Sequence, residues 1–118
     1  MTLTARIAGA AAALAMMATT AFADVAGRYA IQGQNPDGSS YKGSAEVQKT
    51  GDTYRVTWTI EGQRYVGTGI GSDEALAITY RSGNNTGVAL LFQDGPGYKA
   101  VWAFAGGTTL GAESWVKR

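Results

Sequence analysis

From residue 53 onward the chain alternates apolar and polar side chains with a period of two. Tyr54, Val56, Trp58 and Ile60 fall on one side, and Arg55, Thr57, Thr59 and Glu61 on the other. That is the pattern of a half-buried β-strand. The same alternation recurs along the chain and predicts eight strands, at about residues 27–34, 41–49, 53–61, 64–70, 75–81, 87–93, 98–105 and 109–116. In the first, Tyr29 and Ile31 share a face. In the second, Tyr41, Gly43, Ala45 and Val47 do, opposite Lys42, Ser44, Glu46 and Gln48. Leu76, Ile78 and Tyr80 point inward from the fifth, and Tyr98, Ala100, Trp102 and Phe104 from the seventh. The sixth is apolar on both faces, with Val88, Leu90 and Phe92 against Ala89 and Leu91.

The breaks between strands carry turn chemistry. Asn35-Pro36-Asp37-Gly38 and Asp94-Gly95-Pro96-Gly97 are strong signals, because Pro presets φ while Asn, Asp and Gly tolerate the left-handed region. A two-residue turn at Glu61-Gly62 or Gly62-Gln63 puts Tyr65, Gly67 and Gly69 on the face of Trp58, where bare glycine backbone leaves room for large side chains across the pair. Residues 82–86 are expected to form a polar loop. No segment after residue 24 has a 3.6-residue period, so little or no helix is expected. Eight strands joined by short turns fit an up-and-down antiparallel meander. Closing it into a barrel removes both unpaired edges; a two-layer sandwich of the same strands is the alternative. A transmembrane barrel would need an apolar outer face, yet Lys42, Glu46, Arg55 and Glu61 stand opposite the aromatic side.

Residues 1–23 have a different character. Arg6 is followed by an apolar run from Ile7 to Ala18, and Ala21-Phe22-Ala23 places small residues at −3 and −1 of a cleavage point before Asp24. This is the layout of a secretory signal peptide. The run is too short for a membrane span and no charged stop-transfer cluster follows it. The expected organisation is a signal peptide over 1–23 and one small domain over 24–118, exported to the periplasm or the medium, with no membrane insertion after cleavage. Without Arg6, nine basic residues balance nine acidic ones, scattered singly, which gives no footprint for nucleic acid or an anionic membrane. The chain has no cysteine, so stability must come from core packing and backbone pairing, and there is no lipobox. It has no histidine, which removes the commonest general base and the commonest metal ligand. No metal or cofactor is expected. A Cys-free exported chain with an Ala-rich signal is expected to be bacterial, and on that expectation the glycosylation sequon at Asn84-Asn85-Thr86 is a chance match.

Little is left for catalysis. Asp73 and Glu74 are adjacent and point to opposite sides of a strand entrance. Gly67-Thr68-Gly69-Ile70-Gly71 lacks the helix and the Lys-Ser/Thr of a phosphate loop. Glu113 alternates with Gly111 and Trp115 and faces inward on that pattern; buried, it needs partners such as Tyr29 or Tyr65. The remaining signal is aromatic: Tyr29, Tyr41, Tyr54, Trp58, Tyr65, Tyr80, Trp102 and Phe104 all fall on the inner face. An eight-stranded barrel is just wide enough for its own side chains, so these rings are expected to fill the interior. If the mouth were open, Tyr54, Trp58, Tyr65 and Trp102 are the residues expected to stack a flat or hydrophobic ligand.

Gly27-Arg28-Tyr29, Asn35-Pro36-Asp37-Gly38, Tyr41-Lys42-Gly43, the run from Gly51 to Trp58, the run from Tyr65 to Ile70 and Leu110-Gly111-Ala112-Glu113 together resemble a family of small exported alphaproteobacterial proteins. The resemblance extends over essentially all of 24–118, with one departure: Val101 precedes Trp102 where the family tends to have glycine. Members are often labelled fibronectin-binding protein or left uncharacterised. The architecture is also similar to avidin-type and lipocalin-type barrels and, more weakly, to periplasmic metalloprotease inhibitors, which usually carry a cysteine pair missing here. With so little left for catalysis, a non-enzymatic binding protein is expected, and the resemblance implies a protein or polymer partner, periplasmic or extracellular-matrix in nature. A small hydrophobic ligand carried in the barrel mouth is the alternative. An open apolar cavity favours the carrier; a filled barrel with an exposed apolar patch favours the protein-binding module.

Export is expected to remove residues 1–23. Intact mass of the exported protein checks this: a product starting at Asp24 is the expected result, and one retaining Met1–Ala23 contradicts it.

Overall fold

The computed structural model describes residues 24–118, and the expected signal peptide lies outside the described residues. The eight strands are β1 (Gly27–Gln34), β2 (Ser40–Thr50), β3 (Thr53–Ile60), β4 (Gln63–Gly71), β5 (Ala75–Ser82), β6 (Asn85–Asp94), β7 (Gly97–Phe104) and β8 (Gly111–Lys117). Each pairs antiparallel with its neighbour in sequence, and β1 also pairs with β8, so the sheet is a closed barrel in meander order. The barrel alternative holds over the sandwich. Closure leaves no strand with a row of unpaired N–H and C=O groups.

Two expected boundaries move. Residues 82–86 do not form a loop. Ser82 pairs with Asn85, leaving a two-residue turn at Gly83-Asn84, with Gly83 at φ 61°. β8 begins at Gly111, not Thr109, because Gly111 is the residue that pairs with Trp102; Gly106 and Gly107 open a longer connection. The Glu61-Gly62 alternative is realised for the β3–β4 turn. Both residues have positive φ, 50° and 81°. Two positive φ values make a type I′ turn, whose twist matches that of the flanking strands. Trp58 then pairs with Tyr65, Val56 with Gly67 and Tyr54 with Gly69.

Inward side chains fill the barrel from one end. Val25, Tyr29, Val47, Val56, Leu76, Leu91 and Trp115 are essentially inaccessible to solvent. Burying an aliphatic side chain of this size contributes about 1.5–3 kcal/mol relative to leaving it exposed. Residues 24–26 cross this end as a plug. The Val25 amide donates to Asp73 Oδ1 (2.9 Å), and its carbonyl accepts from Tyr29 Oη (2.6 Å). Tyr98 Oη donates to the Asp73 carbonyl (2.6 Å), and Lys117 Nζ donates to the Asp24 carbonyl. Asp73, placed by the sequence at a strand entrance, is therefore the clasp between the plug and the β4–β5 turn.

The aromatic rings form a continuous series along the interior. Tyr98 meets Tyr29 edge-on at 5.8 Å; Tyr29 meets Trp115 at 5.1 Å; Trp115 meets Trp58 at 6.0 Å; Trp58 meets Tyr80 at 5.5 Å. All but the tilted Tyr29–Trp115 contact are edge-to-face, and such pairs add about 0.5–1.5 kcal/mol each beyond burial.

The buried tyrosines make the fold sensitive to alkali. The Tyr98 hydroxyl is pushed up to about 12, first by burial and then by the charge of Asp73. Tyr80 is also pushed up to about 12, by burial and then by Glu113. Both lie above the ordinary tyrosine value of about 10 that holds in the unfolded chain. The folded state thus keeps protons that the unfolded chain loses. Stability from these groups is fully present below about pH 10 and is lost as the pH rises toward 12. Urea midpoints from pH 8 to 12 are expected to be level at first and then to fall; a level midpoint throughout would contradict the assignment.

Candidate functional site

The end opposite the plug carries the β1–β2, β3–β4, β5–β6 and β7–β8 connections and is open. Here the expectation of a filled interior fails in part: a cavity of about 210 Å³ enters the barrel from this mouth. Its walls carry six aromatic side chains, Tyr41, Trp58, Tyr65, Tyr80, Trp102 and Phe104, with Ile60 and Ala89 between them. Asn35, Glu61 and Gln63 form a polar rim, and Glu113 lies deeper.

The cavity exists because the inner face is uneven. Gly33 pairs with Tyr41, Gly87 with Tyr80 and Gly111 with Trp102. At each of these glycines an added Cβ would run into the ring of its partner. Each ring lies flat over bare backbone on the adjacent strand, along the wall and away from the axis. Bulky side chains at those three positions would force the rings inward and close the space.

Glu113 is the one buried charged residue among those described, at 6% exposure. Its inward orientation is as the alternation predicts, but its partners are not Tyr29 or Tyr65. Tyr41 Oη donates to Oε2 (2.5 Å), while Trp58 Nε1 (3.2 Å) and Trp115 Nε1 (2.8 Å) donate to Oε1. Trp102 Nε1 in turn donates to Tyr41 Oη (2.9 Å). Three indoles and one phenol from β2, β3, β7 and β8 thus converge on one carboxylate, directly or through Tyr41. Burial holds the Tyr41 hydroxyl well above the usual tyrosine range, and the charge and hydrogen bond of Glu113 add to this. The network is an acceptor held by donors, which orients four rings.

Of the four residues expected to stack a ligand, Trp58, Tyr65 and Trp102 line the cavity. Tyr54 does not. It precedes Trp58 by four strand residues, about 13 Å along the strand, and that distance carries it to the plugged end. There it is buried, and Lys49 Nζ lies 5.2 Å from its ring centre. Alternation assigns a side chain to a face but not to a height on the barrel. Tyr41 and Glu113 are the site residues the sequence ranks too low. The signal was present in glycine placed opposite an aromatic, yet it needs the strand register to be seen.

Comparisons with protein-family models, with curated proteins and with solved structures each gave no match. The function is therefore argued from this geometry.

Gly111→Ala tests how the mouth is built. Overpacking against Trp102 is expected to cost about 1–3 kcal/mol in urea unfolding and to change the near-UV circular dichroism of the indoles. An unchanged spectrum with unchanged stability would mean that Trp102 is not seated on Gly111.

Proposed function

We propose that the chain is an exported, non-enzymatic binding protein whose site is the barrel mouth and whose ligand is small. The observation that carries this reading is the aromatic-walled cavity beside Trp58 and Trp102. A few convergent polar groups in a concave apolar site are what ligand recognition requires. The size is restrictive. A cavity of about 150 Å³ holds benzene, so about 210 Å³ accepts a ligand of about eight non-hydrogen atoms. Retinoids, fatty acids and haem are too large to enter fully.

A second reading has its own support on the outer surface. Ile70, Ala77, Leu90, Val101 and Ala112 are successive cross-strand partners from β4 to β8. They form one apolar row around the barrel, flanked by the exposed Val88 and Phe92. Such a wall suits a protein partner that presents an apolar face of its own. Fibronectin is the candidate that the family resemblance implies. The opposite wall carries Lys42 and Arg55 in solvent and the Arg28–Glu46 pair, so the apolar surface does not continue around the barrel as a membrane girdle would.

Tryptophan emission separates the two readings. Titration with single-ring compounds is expected to give a saturable change at micromolar to millimolar concentration, lost in Ala89→Phe, which fills the cavity. Leu90→Glu on the outer wall is expected to leave it intact. The lead reading fails if no single-ring compound alters the emission. Capture on immobilised fibronectin that Leu90→Glu abolishes and Ala89→Phe spares would instead put the outer wall first.

A further inference from the structure

We propose that the ligand of the mouth is a small organic monocation, an ammonium group on an apolar body. This rests on the reading of the mouth as a ligand site and names the chemistry that site selects. The charged residues that line the cavity are Glu113, deep inside, and Glu61, at the rim; neither lysine nor arginine lines it. The ion pairs among the described residues are Arg28–Glu46 and Lys99–Asp94, both on the outside. Glu113 therefore sits buried with neutral donors only. Hydrogen bonds from two indoles and a phenol orient the carboxylate and offset part of its desolvation, but they bring no positive charge. A buried carboxylate without a counter-charge is costly. A cation entering the cavity would relieve that cost, whereas a neutral ligand would leave it and an anion would add to it.

Three further features narrow the class. A carboxylate offers about four acceptor sites, and three are taken, which leaves room for one N–H donor from an ammonium group. The surrounding rings of Trp58, Tyr80 and Trp102 offer π faces and edges, and π faces attract a cation within about 6 Å of the ring centre. A metal ion fits poorly, because hard cations take six or more oxygen ligands and the deep part of the cavity supplies one carboxylate and tyrosine hydroxyls. The apolar walls call for an organic body, and the volume limits it to about one ring with a short arm. Glu61 at the rim adds attraction for a cation on its way in.

The test uses three compounds that share a phenyl ring and a short carbon arm but differ in charge: 2-phenylethylammonium, 2-phenylethanol and phenylacetate. Each is titrated against the protein at neutral pH, followed by tryptophan emission and calorimetry. The ammonium compound is expected to bind at least tenfold more tightly than the alcohol, with phenylacetate weaker still. In Glu113→Gln the tenfold preference for the ammonium over the alcohol, both measured on that same variant, is expected to disappear. Should that variant fail to fold, the ranking of the three compounds on the unaltered protein decides alone. An alcohol that binds as tightly as the ammonium, or an anion that binds best, overturns the cation inference and leaves the mouth as a ligand site. If none of the three binds and other single-ring compounds are equally inert, the mouth reading falls with it.

Discussion

β1 and β8 lie at opposite ends of the domain in sequence, and they pair over six residues, from Tyr29 with Lys117 to Gln34 with Ala112. That pairing turns a meander of hairpins into a tube, and the interior follows from it. Every other contact between adjacent strands is local, since each strand meets the next across a connection of at most six residues. Closure is the long-range step. It is also what places Glu113 of β8 within reach of Tyr41 and Trp58, which come from strands on the other side of the seam. A loss of β1–β8 pairing would expose two strand edges and separate the carboxylate from its donors on β2 and β3 at the same time.

The tube is finished differently at its two ends. At one, residues 24–26 are drawn across the opening by hydrogen bonds through Tyr29, Asp73 and Lys117, and Val25 is sealed beneath them. At the other, no segment among the described residues plays that part. Three aromatic rings lie against glycines on neighbouring strands, and the space they vacate is the cavity. The same residue types serve two ends of one core, and what differs is the partner across the strand pair. The interior is thus a graded structure: close-packed aliphatic and aromatic side chains at the plug, a hydrogen-bonded carboxylate at mid-height, and an aromatic-walled opening above.

The polar network and the aromatic packing depend on each other. Each indole that donates to Glu113, or to Tyr41, is held in plane by neighbouring rings, and each ring is held at its height by the hydrogen bond it makes. Such a network specifies one arrangement of large side chains where an all-apolar interior of the same volume would permit several. The cost is a buried carboxylate that stands without a basic partner among the residues lining the cavity.

Strand number, meander order and the inward face of nearly every strand were legible in the residues themselves, because a period of two and the turn chemistry of Asn-Pro-Asp-Gly and Asp-Gly-Pro-Gly act within a few residues. So was the inward orientation of Glu113, two residues from Trp115 on the same strand. What the sequence could not decide was height and register. Tyr54 and Trp58 share a face of β3, yet only closure puts one at the plug and the other in the cavity wall. Residues 82–86 are polar enough for a loop, yet pairing of Ser82 with Asn85 holds all but Gly83 and Asn84 in strands. Tyr41 and Trp58 became partners of Glu113 through contacts between strands far apart in the chain, whereas Trp115 lies on the same strand, and an open cavity arose where glycine met aromatic across a pair. Local alternation determines which way a side chain points, whereas what it meets there depends on the stagger of the closed sheet.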